Sequence, residues 1–145
     1  MASAARIYTP EVLALATGLA ALPLDPAMPF QGSARSQSCG STLALSLATD
    51  EAGRITGIGV RAQACAIGQA SAALFAAGAI GRTRDDIVPI AAALTRWLTG
   101  EGPLPEWPGL DTIAAAAAYP ARHGAILLAW NAALGALPPQ TLPRA

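Results

Sequence analysis

The length, charge and composition of the chain limit what it can be. Its 145 residues and 14.6 kDa suit a single domain over residues 1–145, because a chain of this size builds one core and is too short to divide into two. Nine arginines balance nine acids and the pI is about 6.5, so the surface lacks the excess positive charge that a nucleic acid partner requires. Hydrophobic residues make up 53% of the chain and many are alanine, which favours closely packed helices.

Two apolar stretches resemble membrane or export signals, but both are better explained as helices of a soluble protein. Residues 12–22 resemble the core of a secretory signal, yet Thr9-Pro10-Glu11 before them is typical of an ordinary helix start. Residues 64–81 are largely alanine and glycine, whose transfer into lipid releases little free energy. We therefore expect no membrane segment and a cytoplasmic location, with export as the minor alternative.

The first half of the chain predicts a helix followed by a three-stranded antiparallel sheet. Thr9 caps the helix, and three prolines within residues 22–29 make the next segment an extended connection. Residues 30–37 form a candidate edge strand. Leucines alternate with small residues over 42–49, and a turn then leads back into 54–62, which predicts a hairpin.

The second half is predicted to be helical from Cys65 onward, because small and apolar residues recur at helical spacing. Thr83 and Asp86 match a capping box, although Pro89 would then lie inside the helix, which indicates a later start or a kink. The remaining predicted segments are a proline-rich loop over 103–108, a short helix capped by Asp111 and ending at Tyr119, and a last helix opened by Pro120.

These elements predict an α+β fold in which an N-terminal helix and a three-stranded antiparallel sheet are followed by helices packed on one face of the sheet. Trp97 and Trp130 fall on the core faces of predicted helices, whereas Trp107 lies among the prolines. The chain contains no P-loop, dinucleotide fingerprint or nucleophile elbow. We therefore do not expect an enzyme.

Two cysteines and one histidine are the candidates for chemistry. Cys39 lies between two strands in Ser38-Cys39-Gly40-Ser41, where backbone amides can face an anion or a thiolate. Cys65 stands where a strand ends and a helix begins, a position at which the helix dipole favours a thiolate. His123, near the start of the last helix, is a weaker candidate. The alternatives are a single disulfide, or two small buried side chains and an exposed histidine.

Two motifs carry a family resemblance. Ser38-Cys39-Gly40 and, after the hairpin, Ala64-Cys65-Ala66-Ile67-Gly68-Gln69-Ala70-Ser71 resemble the IscU/SufU/NifU-like family of iron-sulfur cluster assembly scaffolds. Pro120-Ala121-Arg122 and Ala129-Trp130 extend the likeness from about Thr9 to Leu134. The resemblance implies a SufE/NifU-like fold, Cys39 and Cys65 as ligands of a [2Fe-2S] cluster or of iron, or as sulfur acceptors, and a cysteine desulfurase as partner.

The departures from the family pattern lie at the ligand positions. The resemblance places the usual aspartate at Ser41 and the usual third cysteine at Ala125. Some members have a histidine where this chain has Gly124, and His123 is one residue early, a shift of about 100° around a helix. Ser41 and His123 are thus weak candidate ligands. A [2Fe-2S] cluster normally takes four protein ligands, so a homodimer or exogenous thiols would have to complete the shell.

Two other functions remain open at this stage. One is a degenerate interaction or regulatory protein that keeps the fold and binds no metal. The other is a zinc protein that uses Cys39, Cys65 and His123, since zinc accepts mixed sulfur and nitrogen ligands. The cluster and zinc functions both require Cys39 and Cys65 to approach each other at one end of the sheet.

Overall fold

The computed structural model describes residues 7–139, so the two ends of the predicted domain over 1–145 lie outside the described residues. No helix among residues 7–139 is long and apolar enough to cross a membrane. The helices are α1 (Pro10–Gly18), α2 (Ala66–Ala79), α3 (Arg84–Leu98) and α4 (His123–Ala136), the strands are β1 (Phe30–Arg35), β2 (Thr42–Thr49) and β3 (Ile55–Gln63), and the short 3-10 segments are Leu19–Ala21, Leu110–Ala118 and Pro120–Arg122.

The strands form an antiparallel sheet in the order β1-β2-β3, as the sequence predicts. Thr42, the first residue of β2, pairs with Arg35 at the end of β1 and with Gln63 at the end of β3. The segment 36–41 and the segment that follows Gln63 therefore leave the sheet at the same end. This register places the two cysteine-bearing segments side by side.

Helices cover one face of the sheet and confirm the predicted α+β fold. The leucines of β2 are buried on this face, and α4 packs across β1 and β2. Gly32 in β1 permits the approach, because a Cβ atom at this position would overlap the carbonyl oxygen of Ala132 in α4. Ser71 in α2 donates a buried hydrogen bond of 2.7 Å to the carbonyl of Ile126, which joins α2 to α4.

The connection between α1 and β1 runs over the opposite face of the sheet. The amide of Val60 donates to the carbonyl of Leu22 over 2.8 Å, and the amide of Asp25 donates to Ser46 Oγ over 3.0 Å. A side chain at Gly59 would overlap the carbonyl oxygen of Pro23. Ser46 is buried on the second face of β2 because this segment covers it, and its hydroxyl has a partner there.

Three predicted helix starts are wrong in detail. Helix α3 begins at Arg84 and continues through Pro89, because Thr83 and Asp86 form the capping box and fix the first turn ahead of the proline. Asp111 does not cap its segment. Gly109, with φ of +82°, precedes a 3-10 segment instead of an α-helix. Pro120 opens one 3-10 turn, and α4 begins at His123.

Trp107 lies in the predicted loop but belongs to the core, which was not expected, and Trp97 is only half-buried. Trp107 is 4% exposed and its indole nitrogen donates a hydrogen bond of 2.8 Å to the carbonyl of Leu74. Its ring stacks on Phe75 at 5.5 Å and meets the fully buried Trp130 edge to face at 5.3 Å. The proline-rich segment therefore delivers an aromatic side chain to the core.

We expect Trp107→Ala to lower the free energy of unfolding by about 3–5 kcal/mol, because it opens a cavity beside Phe75 and leaves the Leu74 carbonyl without its partner. Urea denaturation followed by circular dichroism measures the loss. Trp97→Ala is the matched control and should cost clearly less. An equal or larger loss for Trp97→Ala would contradict the assignment of Trp107 to the core.

Candidate functional site

The loop of residues 36–41 presents Cys39 to solvent at one end of the sheet. The amide of Ser36 donates to the carbonyl of Ser41 over 2.8 Å, and this bond closes the loop. Strand β1 therefore ends at Arg35, before the predicted end at residue 37. Gly40 adopts φ of +72°, which glycine reaches without strain. The sulfur of Cys39 lies 3.3 Å from Ser36 Oγ and 3.1 Å from Ser41 Oγ.

These two hydroxyl groups favour the thiolate of Cys39. Hydrogen bonding with Ser36 and then with Ser41 lowers the pKa of this thiol, burial opposes it, and the positive charge of Arg122 adds a smaller lowering. Ser36 and Ser41 are buried, so their hydroxyls are held in place. Ser41, predicted as a weak metal ligand, lies within hydrogen-bonding distance of the candidate thiolate. The sequence did not single out Ser36, because its contact with Cys39 depends on how the loop closes.

Cys65 takes the N-cap position of α2 in an extended conformation and is half-buried. Its carbonyl accepts the amide of Gln69 over 2.9 Å, and the Gln69 side chain donates to the Ala64 carbonyl over 2.9 Å. These bonds fix the turn that leads from β3 into α2. Cys39 and Cys65 are both free thiols, so the disulfide alternative is wrong for this structure.

The segment 121–125 closes the site by packing against both cysteine-bearing segments. Ser38 Oγ donates to the carbonyl of Ala121 over 3.4 Å, and a Cβ atom at Gly124 would overlap Ser36 Oγ. On the other side, a Cβ atom at Gly68 in α2 would lie 3.2 Å from the Cβ of Ala125. The chain therefore brings together the Cys39 loop, the first turn of α2 and the start of α4.

Arg122 supplies a positive charge beside both thiols. Its Nη2 donates to the hydroxyl of Tyr8 over 3.0 Å, whereas its Nε is buried and has no hydrogen-bond partner among residues 7–139. The hydrogen bond and charge of Tyr8 raise the pKa of Arg122, burial opposes this, and the charges of Cys65 and Cys39 raise it further. The sequence marked Arg122 only through the Pro-x-Arg likeness, and it gave no signal for Tyr8, which lies 114 positions earlier.

His123 is engaged elsewhere. Its Nε2 lies 2.7 Å from the carbonyl oxygen of Ala117, and this contact makes Nε2 the hydrogen-bond donor. Among residues 7–139 there is no group of three or more His, Cys, Asp or Glu side chains that could hold a metal ion. His123 therefore does not join Cys39 and Cys65 in such a group, which removes the main support for the zinc alternative.

Comparison with known proteins gives matches to solved structures. The sequence matches no protein-family model and no curated protein. The N-terminal domain of a nitrogen-fixing NifU-like protein from Brucella abortus superposes with a TM-score of 0.80 and 29% identity, over 90% of this chain and 91% of that chain.

Two further structures have the same fold. A putative iron-sulfur cluster assembly scaffold protein for the SUF system from Fervidobacterium islandicum superposes with a TM-score of 0.78 and 19% identity, covering 88% of this chain and 93% of that one. A hypothetical protein superposes with a TM-score of 0.65 and 21% identity, covering 86% and 95%. Their identities are low enough that they show the fold alone.

The Brucella match spans nearly the whole of both chains. In its fold the chain resembles the IscU/SufU/NifU-like scaffolds. At the positions that the sequence resemblance assigns to the third cysteine and the aspartate, this chain has Ala125, which is 1% exposed, and Ser41.

A single chain with these residues fits only part of a cluster's ligand shell. Cys39 and Cys65 offer two thiolates, the hydroxyl of Ser41 is a poor ligand for iron, and a [2Fe-2S] cluster normally takes four cysteines. Any cargo held here must take further ligands from outside the chain.

The serine hydroxyls yield a test of the electrostatics of the site. Ser36→Ala and Ser41→Ala should each raise the pKa of Cys39, because each removes a hydrogen bond to the thiolate. Less thiolate is then present at neutral pH, so alkylation of Cys39 by iodoacetamide should slow severalfold and its pH profile should move to higher pH. Mass spectrometry distinguishes Cys39 from Cys65.

Ser33→Ala is the matched control, since Ser33 is an exposed serine of the neighbouring strand. It should leave the profile unchanged. If the pH profile of Cys39 alkylation is the same in all three variants, the hydroxyls of Ser36 and Ser41 do not stabilise the thiolate.

Proposed function

We propose that the protein is an iron-sulfur cluster assembly scaffold-like protein that transiently holds iron, a [2Fe-2S] cluster or sulfur on Cys39 and Cys65. The observation that carries the proposal is the site itself. The segments that carry the two free thiols leave the sheet at the same end, and two hydroxyls and an arginine favour the thiolate of the exposed Cys39. The likeness to the NifU-like domain over 90% of the chain supports it. The protein would act as a carrier and not as an enzyme.

Sulfur transfer to Cys39 needs only groups that this site supplies. The Cys39 thiolate would attack the outer sulfur of a persulfide on a donor protein. A new S–S bond forms on Cys39, the donor's S–S bond breaks, and the donor thiolate leaves with the electron pair. A cysteine desulfurase is the class of donor that carries such a persulfide. The exposure of Cys39 supports direct attack, whereas Cys65 is half-buried.

Cluster holding requires more sulfur than one chain has. Two chains that each contribute Cys39 and Cys65 would supply four thiolates, so we propose that cargo is held by a homodimer or with the help of external thiols. A cytoplasmic location is part of the proposal, because two free cysteines suit a reducing compartment.

A second candidate function is a degenerate interaction or regulatory protein with the same fold. The observation in its favour is the loss of two ligand positions, at Ser41 and Ala125, together with the absence of a three-residue metal group among residues 7–139. Such a protein would bind its partners equally well with or without its cysteines.

Anaerobic reconstitution with iron and sulfide separates the two candidates. We expect the wild-type protein to bind iron and develop a visible chromophore, and Cys39→Ala and Cys65→Ala each to lose both, because two thiolates per chain are the minimum for a shared shell. Metal analysis gives iron per chain, and size-exclusion chromatography coupled to light scattering gives the number of chains in the loaded species. A colourless, iron-free wild type that still binds a desulfurase would favour the interaction protein.

Restoring the third cysteine should strengthen cargo binding. Ala125 lies against the first turn of α2, so Ala125→Cys would place a third sulfur beside the two-cysteine site. We expect the variant to retain iron longer in the presence of a chelator, at a cost of about 1–3 kcal/mol in folding stability from the added buried volume.

Ala129→Cys is the matched control, because Ala129 is also 1% exposed and lies one turn further along α4, away from the cysteines. It should pay the same packing cost without any gain in iron retention. Equal retention in the two variants would show that position 125 does not face the cargo.

A further inference from the structure

Among residues 7–139, Arg122 has no acidic partner. Its guanidinium carries five N–H donors, and one of them donates to the hydroxyl of Tyr8. The groups that act on its charge are Tyr8, Cys65 and Cys39, and none of them is a carboxylate. Among residues 7–139 the ion pair that does form joins Arg54 to Asp50, at the hairpin on the opposite end of the sheet.

The segment that carries Arg122 lies between the two cysteine-bearing segments. The segment 121–125 is held on one side by the loop of Cys39, through the bond from Ser38 to Ala121, and on the other by the first turn of α2. Tyr8 holds one end of the guanidinium. The positions where the family has an aspartate and a third cysteine are the neighbouring Ser41 and Ala125. The site thus combines a fixed positive charge with missing sulfur ligands.

We propose that Arg122 binds the carboxylate of a small thiol, whose sulfur supplies a ligand that the chain lacks beside Cys39 and Cys65. A guanidinium forms paired, charge-assisted hydrogen bonds with a carboxylate, which gives orientation as well as attraction. The inference rests on the proposed function and names its external ligand as a thiol that carries an acid. A neutral thiol could supply the same sulfur ligand, but it would not pair with the charge of Arg122.

A thiol-disulfide exchange assay on the metal-free protein tests the recognition step alone. The Cys39 thiolate attacks a small disulfide, a mixed disulfide forms, and one small thiolate leaves with the electron pair. The two probes are dithiodipropionate, which carries carboxylates, and dithiodiethanol, which has hydroxyls in their place. Mass spectrometry on the Cys65→Ala background measures the rate at Cys39 for each probe.

The measured quantity is the ratio of the two rates, because any effect of Arg122 on the general reactivity of Cys39 changes both rates equally and cancels. We expect Arg122→Gln to lower the ratio by about threefold to tenfold, the range for a charge-assisted contact at a partly exposed site. Arg122→Lys should keep part of the preference. Tyr8→Phe keeps the charge and should keep most of it.

Arg54→Gln is the control for charge, since it removes the same charge at the far end of the sheet and should leave the ratio unchanged. A ratio that is the same in wild type and Arg122→Gln would overturn the inference. So would an equal fall in Arg54→Gln, because the preference would then reflect net charge.

Reconstitution with iron and sulfide then tests the ligand role and separates it from the proposed function. With mercaptopropionate we expect more iron per chain than with mercaptoethanol, and one bound small thiol per chain after gel filtration. Equal loading with either thiol would overturn the inference and leave the proposed function standing. A preference in the exchange assay without iron binding from any thiol would overturn the ligand role and the iron- and cluster-holding part of the proposed function, leaving sulfur acceptance by Cys39 and a carboxylate-binding site.

Discussion

The pairing of Thr42 with both Arg35 and Gln63 is the constraint on which the site depends. One residue of the central strand fixes where β1 ends and where β3 ends, and the segments that follow carry the two cysteines. A slip of one residue would move the leucines of β2 from the covered face to the opposite face. Burial of those leucines therefore fixes the register, and the register fixes the positions of the thiols.

The two cysteines have different surroundings at this end of the sheet. Cys39 lies on a short loop whose hydroxyls surround the sulfur, and it is open to solvent. Cys65 is built into the start of a helix and is half-buried. An exposed thiolate suits exchange with partners, and a sulfur held by a helix suits a fixed ligand. Arg122 adds charge near both without being bound to an acid.

Much of the fold could be predicted from the sequence because its signals are local. The capping residue Thr9, the alternation over 42–49 and the change of period at Cys65 each specify an element through its own residues. Trp107 was misplaced because prolines mark a loop but do not say where its side chains go. Its burial depends on the carbonyl of Leu74 and the ring of Phe75, which belong to a different helix.

The same limit applies to the site. The motifs predict Cys39 and Cys65 as site residues, and the family resemblance marks Ser41 and Ala125 as altered positions, because motifs are read along the chain. Ser36 and Tyr8 are visible only in three dimensions, because one reaches the sulfur through loop closure and the other reaches Arg122 across the fold. His123 was a reasonable candidate by type, but the last turn before α4 directs its Nε2 to a backbone carbonyl.

The close contact at Gly124 makes two designs of this site mutually exclusive. A side chain at this position would take the space of Ser36 Oγ, the hydroxyl that contributes most to the thiolate of Cys39. A histidine ligand at position 124 and a serine that activates the loop cysteine therefore cannot occupy the site together unless the loop moves. The chain keeps the contact between Ser36 and Cys39, and a side chain at position 124 would displace that hydroxyl.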